Sequence, residues 1–457
     1  MQEAVGRETA ASGVAGAIPG PPGHPLTGMA GRMRTDLLGT LWESFVRYGD
    51  VVAYRVGPAC GPRWLRRQTV AAHHPDDVRR VLTDTDAFTR DTTSYRVLRE
   101  LFGSNLVTVD GDAWRRQRRI LQPLFTPANV RRYAAVIEAE AERAIEAQRL
   151  GAGGVIDAVH TMEAYALRVL GRTLFEDERG IDDETVAALE RLVPVVGGLV
   201  RSRATQFVRL PLALPSARNR RFVETRTRLY ATIDRVLARR AEHELEGGED
   251  LLGRLRDARD PHDGMPLDDR EIRDQALIFL ISGHTTTSNA LTSTLYLLGR
   301  NPAAQDDVAA AVDERDTRRD LVRAAVQEGM RLQPPAYVIA RRVRGAAELG
   351  RYSVPDGTTV LVSPWVTHRH PGFWDDPDSF DPRRFVDGRE PDRWAYIPFG
   401  GGARACIGRH FAQLEATVLV RALLRRYRLE SLDADVPHAQ LISLRPDGPV
   451  EVRCTPR

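Results

Sequence analysis

The chain has 457 residues, 42% hydrophobic and 28% charged, the balance of an ordinary globular protein with ample length for a large core. A formal net charge of +3 is too small to argue for a nucleic-acid partner, and although all 65 basic residues are arginine they form no basic run. Cys60, Cys406 and Cys454 are odd in number and far apart, which argues against a disulfide framework and for a reducing cytoplasm. Neither a secretory leader nor a membrane-length apolar span opens the chain, so a soluble protein with no membrane anchor is expected.

Residues 1–34 read as a flexible lead-in, with proline and glycine (IPGPPGHPLTG, 18–28) holding part of it extended. Residues 35–457 read as a single domain. Leu37, Leu38, Leu41 and Phe45 mark one face of a helix over 36–48, and β-type runs follow at 51–56 and 69–72 around turn residues 57–62. Pro75-Asp76-Asp77 opens another helix, and 86–107 mixes Phe88, Tyr95, Leu101 and Phe102 with polar residues. Trp114 and Arg118, four apart, share a helix face, while Arg115, Arg116 and Arg119 read as a solvated basic face. From 127 to 245 amphipathic helices predominate. Leu210-Pro211-Leu212-Ala213-Leu214-Pro215 interrupts them as an apolar, proline-stiffened segment.

Asp268 with Glu271 makes a capping box for a helix of about thirty residues that Gly299-Arg300-Asn301-Pro302 stops, and its centre is apolar on nearly every side. Ser282-Gly283-His284-Thr285-Thr286-Thr287 sits in mid-helix, where threonine hydroxyls can bond back to the carbonyl four residues earlier. His284 reads as a histidine packed against a neighbouring helix. Glu328 and Arg331 are three apart on a helix that Leu332-Gln333-Pro334-Pro335 ends; Glu140 and Arg143 share that spacing and read as solvent-facing. His368-Arg369-His370 lacks a third metal ligand and reads as structural.

Late in the chain lies Phe399-Gly400-Gly401-Gly402-Ala403-Arg404-Ala405-Cys406-Ile407-Gly408, just before a helical pattern over 409–427. Such glycine density suits a sharp bend or a backbone lying close to something flat. A cysteine opening a helix meets free backbone N–H groups and the positive end of the helix dipole, and Arg404 adds a cation, all favouring thiolate. Left alone, the residue reads as a buried thiol after a turn; pairing it with His410 does not make a zinc site. Residues 429–452 alternate in a β manner about a turn at Pro446-Asp447-Gly448.

The run Phe399-x-x-Gly402-x-Arg404-x-Cys406-x-Gly408 resembles the haem-binding loop of the cytochrome P450 family at every fixed position. The resemblance covers about residues 35–452 and implies a mainly α fold with a small β region and a long central helix over the haem. It implies haem b held by Cys406 as axial iron ligand, with Phe399 and Arg404 beside it. Trp114, Arg118 and Arg341, or Arg342 in its place, would meet the propionates. Gly283, Thr285 and Thr286 stand in the family's oxygen-binding motif, with Thr286 the alcohol serving dioxygen; Thr285 occupies the position of the usual acid. Glu328 and Arg331 would pair with Arg384 as a structural trio. Phe102, Ser282, Val338, Ile339 and Ile442 would border substrate, as would the hairpin tip near 441–444, with 210–215 as a lid.

These resemblances make the expected enzyme a monomeric, cytoplasmic haem-thiolate monooxygenase, inserting one oxygen atom from O2 into a lipophilic small molecule, a terpenoid or polyketide in secondary metabolism. No flavodoxin-like segment follows the cysteine loop, so an external ferredoxin and an NAD(P)H-dependent reductase are the expected electron source. Fatty-acid hydroxylation, a peroxide-using or otherwise atypical reaction suggested by Thr285, and a haem-binding sensor are the alternatives.

Overall fold

The computed structural model describes residues 16–60, 67–175, 183–204, 211–214, 216–242, 250–313, 320–386 and 391–457. Leu210 and Pro215, the ends of the expected lid, lie outside the described residues. Helices dominate, and they pack around one 32-residue helix, Asp269–Arg300, whose rise of 1.5 Å per residue carries it about 48 Å through the molecule. Its capping box forms in full: the Asp268 carboxylate accepts from Glu271 N at 2.7 Å and Glu271 Oε2 accepts from Asp268 N at 3.1 Å. Helices Ala158–Phe175, Leu321–Leu332 and Arg409–Arg426 pack against it. Two large apolar clusters meet successive stretches of it, one including Leu277, Leu280 and Ile281, the other Leu291, Leu295 and Leu298.

The β structure is small. Its main sheet has five strands in the order Val51–Val56, Arg67–Ala72, Thr359–Val362, Ile339–Val343, Phe88–Thr89, so the early strands pair with strands nearly three hundred residues later. The C-terminal run keeps the expected hairpin tip near 441–444 but not the turn read at Pro446-Asp447-Gly448. His438–Gln440 pairs with Leu444–Pro446, which puts the hairpin turn at 441–443; Pro446-Asp447-Gly448 instead leads into Glu451–Pro456, a strand of another sheet. That sheet includes Gly154–Asp157, a strand inside a stretch read as helical: Glu451–Pro456 offers it a hydrogen-bonding edge that local pattern cannot reveal.

The basic helix Gly111–Leu121 also differs. Arg115 pairs with exposed Asp112, but Arg116 reaches Glu271 at 2.9 Å and Arg119 reaches Asp260 at 2.7 Å, so two of the three arginines tie this helix to the entry of the long one. Glu140, read as solvent-facing, is 3% exposed beneath Arg143 and Arg172.

Because Asp268 satisfies an otherwise unpaired helix N–H, Asp268→Ala should cost about 1 kcal/mol, and Glu271→Ala should cost more because Arg116 loses its partner as well. Urea unfolding of the two variants measures this order directly. Three buried histidines set a pH dependence. Burial pushes His73 and His368 to about 3 and His284 to about 4, Arg331 and Arg445 adding to the shift in His368 and His284 respectively. Each stays neutral in the fold and binds a proton on unfolding, so the stability held is complete above about pH 6.5 and drains as pH falls toward 4. The loss is about 1.4 kcal/mol per pH unit for each histidine, read as a falling urea midpoint.

Candidate active site

The glycine loop is closed by one hydrogen bond, Cys406 N to the Phe399 carbonyl at 2.8 Å. Gly400 and Gly402 adopt left-handed φ values of 68° and 66°. A Cβ on Gly402 would stand 2.3 Å from the Leu82 carbonyl oxygen, and one on Gly401 2.4 Å from the Trp394 ring. The loop is therefore pressed against the helix Pro75–Thr83 on one side and an indole on the other, and only glycine fits both approaches.

The loop aims Cys406 into an internal cavity of about 330 Å³ that crosses beneath the long helix. Burial raises the thiol's pKa, with the Gly408 N–H and the cations Arg118 and Arg409 opposing it. Arg118, not the expected Arg404, is a cation acting on the thiol, and its Nη1 donates to the Ala405 carbonyl at 3.0 Å. Arg404 turns away, stacking on Trp114 with its Cζ 4.0 Å from the ring centroid and bonding Val109 O and Asp110. A bound cation at the sulfur would reverse the protonation balance, because the metal-ligating form is the thiolate.

One wall of the cavity concentrates positive charge. Arg90, Arg118, Arg341 and Arg404 all line it, with Trp114 among them, and Asp110 is the carboxylate beside Arg404. Burial lowers the pKa of Arg341, and burial with Arg90 brings Arg404 down to about 9. Tyr95 is pulled below its ordinary value although burial opposes it, because Arg90 and Arg341 stand beside it. Such a surplus of buried guanidinium fits a ligand that brings its own carboxylates. Strand Ile339–Val343 explains which arginine serves: side chains alternate, so Ile339 and Arg341 face the cavity while Val338 and Arg342 face away.

On the facing wall the long helix runs unbroken through its hydroxyl cluster. Ser282 Oγ bonds Ile278 O at 2.5 Å, Thr285 Oγ1 bonds Ile281 O at 3.0 Å and Thr286 Oγ1 bonds Ser282 O at 2.7 Å. Ser282, Gly283, Thr286 and Thr287 line the cavity; Thr285 does not. A Cβ on Gly283 would meet both Leu170 methyls at 3.1 Å, so this glycine also permits close approach of helix Ala158–Phe175. His284 is packed there at 2% exposure, with Nε2 left unpartnered.

Of the five residues expected at substrate, Ser282 and Ile339 line the cavity. Phe102 does not: it ends helix Thr93–Phe102 with its ring wholly buried in the core behind the wall. Val338 packs toward Leu37 and Trp365, and Ile442 sits 44% exposed in the hairpin turn. Arg90, Thr287 and Glu415 line the cavity unanticipated. Glu415 had a legible signal, a carboxylate four residues after Phe411 and four before Leu419 on the apolar stripe of its helix.

Behind the loop, Glu328 and Arg331 are fully buried and bidentate, at 2.7 and 2.8 Å. Arg331 donates further to the carbonyls of His368, Pro377 and Ser379, and Glu328 Oε1 accepts from Asp381 N at 2.9 Å. Arg384 is the looser third member, its Nε 3.4 Å from Glu328 and without a hydrogen bond. His368, held by the Arg331 carbonyl at 3.2 Å, accepts from Ile397 N at 2.9 Å, and Ile397 O accepts from Gly400 N at 2.9 Å. The buried pair is thereby linked to the cysteine loop.

Comparison with known proteins agrees with this architecture. The cytochrome P450 family model matches residues 18–452. Cyclooctatin synthase of Streptomyces melanosporofaciens is 36% identical over 90% of each chain, and cyclooctat-9-en-7-ol 5-monooxygenase of the same organism is 31% identical over 96% of this chain and 97% of its own. Pentalenene oxygenase of Streptomyces avermitilis is 30% identical over 97% and 98%. The crystal structure of the cytochrome P450DA heme domain superposes with a TM-score of 0.83 at 26% identity, covering 97% of this chain and 98% of that one.

Removing one member of a buried, hydrogen-bonded ion pair costs on the order of 3–5 kcal/mol. Glu328→Ala should therefore yield protein that retains little or no haem, while Arg384→Ala retains most of it, read as Soret absorbance per protein.

Proposed function

This chain belongs to the cytochrome P450 family and is a haem-iron monooxygenase that uses O2; we propose that it inserts oxygen into a terpenoid of secondary metabolism. The observation that carries the substrate class is the apolar part of the cavity lining, which includes Leu106, Val107, Leu170, Phe279 and Ile339. The Ser282 hydroxyl at the cavity is already committed to Ile278 O. A bulky hydrocarbon skeleton gains most from such a surface, at about 25 cal/mol per Å² of apolar area buried. Relatives named for pentalenene and for cyclooctat-9-en-7-ol support the reading.

The residues present fit haem b: Cys406 would hold the iron, and Arg118, Arg341, Arg404 and Trp114 would take the carboxylates. The group, when bound, would supply one-electron and dioxygen chemistry, which a thiolate ligand from Cys406 would favour. The protein's own part is positional. The Cys406 N–H bond to Phe399 fixes the loop, the cationic wall orients the ligand, and the apolar wall excludes water. Thr286 presents a hydroxyl whose donor is engaged with Ser282 O and whose lone pairs remain open to the cavity. Electrons come from an external ferredoxin and an NAD(P)H-dependent reductase. Among the described residues no helix is long and apolar enough to cross a membrane.

Titrating the ferric protein with terpene hydrocarbons and alcohols, fatty acids and macrolide lactones tests the substrate class. A saturable Soret shift toward high spin is expected with terpenoids. A shift with fatty acids alone would assign the pocket to that class instead, and equal turnover with hydrogen peroxide and with the reductase system would identify a peroxide user.

A further inference from the structure

Leu106 and Val107 line the cavity from a connection, 103–110, that is neither helix nor strand. Whatever holds that connection therefore sets where this part of the wall stands. Gly103 ends helix Thr93–Phe102 at a left-handed φ of 74°. Beyond it the backbone is held from outside. The Ser104 N–H donates to Asp274 Oδ2 at 2.7 Å and the Leu106 N–H to Gln275 Oε1 at 3.2 Å. The Val107 carbonyl accepts from Arg90 Nη1 at 2.9 Å. The Ser104 carbonyl accepts from Gln117 Nε2 at 3.3 Å, and Gln117 Oε1 accepts in turn from Gln275 Nε2 at 2.8 Å.

Asp274 is the member of this set that also reaches a third element. It is 2% exposed, lies on the long helix about 12 Å along the axis before Ser282, and lines no part of the cavity. Its Oδ1 accepts from the Tyr230 hydroxyl at 2.7 Å, and Tyr230 belongs to helix Ala217–Glu242, which packs against the long helix. Burial first, and the Asp274 bond second, push the Tyr230 phenol up, which keeps it a donor. A Cβ on Gly103 would stand 2.1 Å from Asp274 Oδ2, so the segment lies as close to the carboxylate as a glycine allows. The neighbouring Arg273 turns instead to Asp234. A carboxylate offers one acceptor oxygen to each side at once, whereas an amide has a single oxygen to give. For a position that only fills the core, a buried carboxylate is a costly choice.

We propose that Asp274 is a positioning residue for ligand selection: it ties the segment 103–107 and helix Ala217–Glu242 to one point of the long helix, and so holds Leu106 and Val107 inward at the cavity. The bulk of ligand admitted beside Leu106 and Val107 then depends on a side chain that touches no ligand. Gln275 and Arg90 keep hold of the far end of the segment when Asp274 is removed, so the loosening is local. The inference rests on the haem-binding cavity and not on the substrate class.

The test titrates the ferric holoprotein with imidazole and with phenylimidazole, each read as a Soret shift to longer wavelength when the azole nitrogen binds the iron. The smaller probe needs no room at the wall; the larger one does. Asp274→Asn should bind phenylimidazole several-fold more tightly while its imidazole affinity stays that of the unmodified protein. Tyr230→Phe, which removes one donor and no charge, should move the ratio of the two affinities in the same direction by less. Urea midpoints are measured alongside. A carboxylate that only supports the fold would lower the midpoint and leave the ratio unchanged, which overturns the proposal. Equal shifts for both azoles mean that the whole site has loosened, and overturn it too. Should Asp274→Asn fail to retain haem, Tyr230→Phe decides alone, and an unchanged ratio there is again fatal. A wrong terpenoid assignment would appear as no spin shift with that class while the azole ratios still move.

Discussion

A carboxylate and a guanidinium taken wholly out of water at Glu328 and Arg331 must satisfy every donor and acceptor they carry or lose the structure. They do so by gathering chain from three places: the carbonyls of His368, Pro377 and Ser379, the Asp381 N–H, and more loosely Arg384. Through His368 and Ile397 the same bonds reach Gly400, so the loop presenting Cys406 is set by a pair that lines no part of the cavity. The specificity of that network lies in how many segments converge on it, since a buried ion pair by itself adds little net stability.

The cavity is built by opposing demands on one space. Its loop wall must approach Leu82 and Trp394 so closely that Cβ atoms are excluded. Its cationic wall crowds Arg90, Arg118, Arg341 and Arg404 out of water, lowering the pKa of Arg118, Arg341 and Arg404, an arrangement that makes sense only for an anionic ligand. Its helical wall commits the Ser282 and Thr286 hydroxyls to the backbone, so hydroxyls sit at the cavity without leaving donors unsatisfied. Desolvation is the common agent: it favours the neutral forms of Glu415 and His284, and leaves charge only where several cations can share it.

Much of this was legible in the chain. The capping box of Asp268 and Glu271, the stop at Gly299-Arg300, and the loop around Cys406 are local devices, in which the residues that interact lie within a few positions of one another. The Arg116 and Arg119 pairings, buried Glu140, and the strand 154–157 were not legible, because each depends on what a distant segment brings alongside. The pocket residues divided for the same reason. Ser282 belongs to a helix whose register follows from its own sequence, whereas Phe102, Val338 and Ile442 depend on how their elements are rotated against the rest.

The sequence by itself determined the long buried helix and the thiol loop, since hydrogen-bond caps, glycine turns and helical spacing act over short range, while the Glu328–Arg331 pair followed from the family resemblance, its spacing being shared with Glu140 and Arg143. Only the tertiary structure decided which arginine of strand 339–343 faces the cavity, that Arg118 and not Arg404 acts on the thiol, and that the carboxyl lining the cavity is Glu415. Those outcomes turn on burial, and burial is set by every chain segment that closes over a side chain, not by its neighbours in sequence.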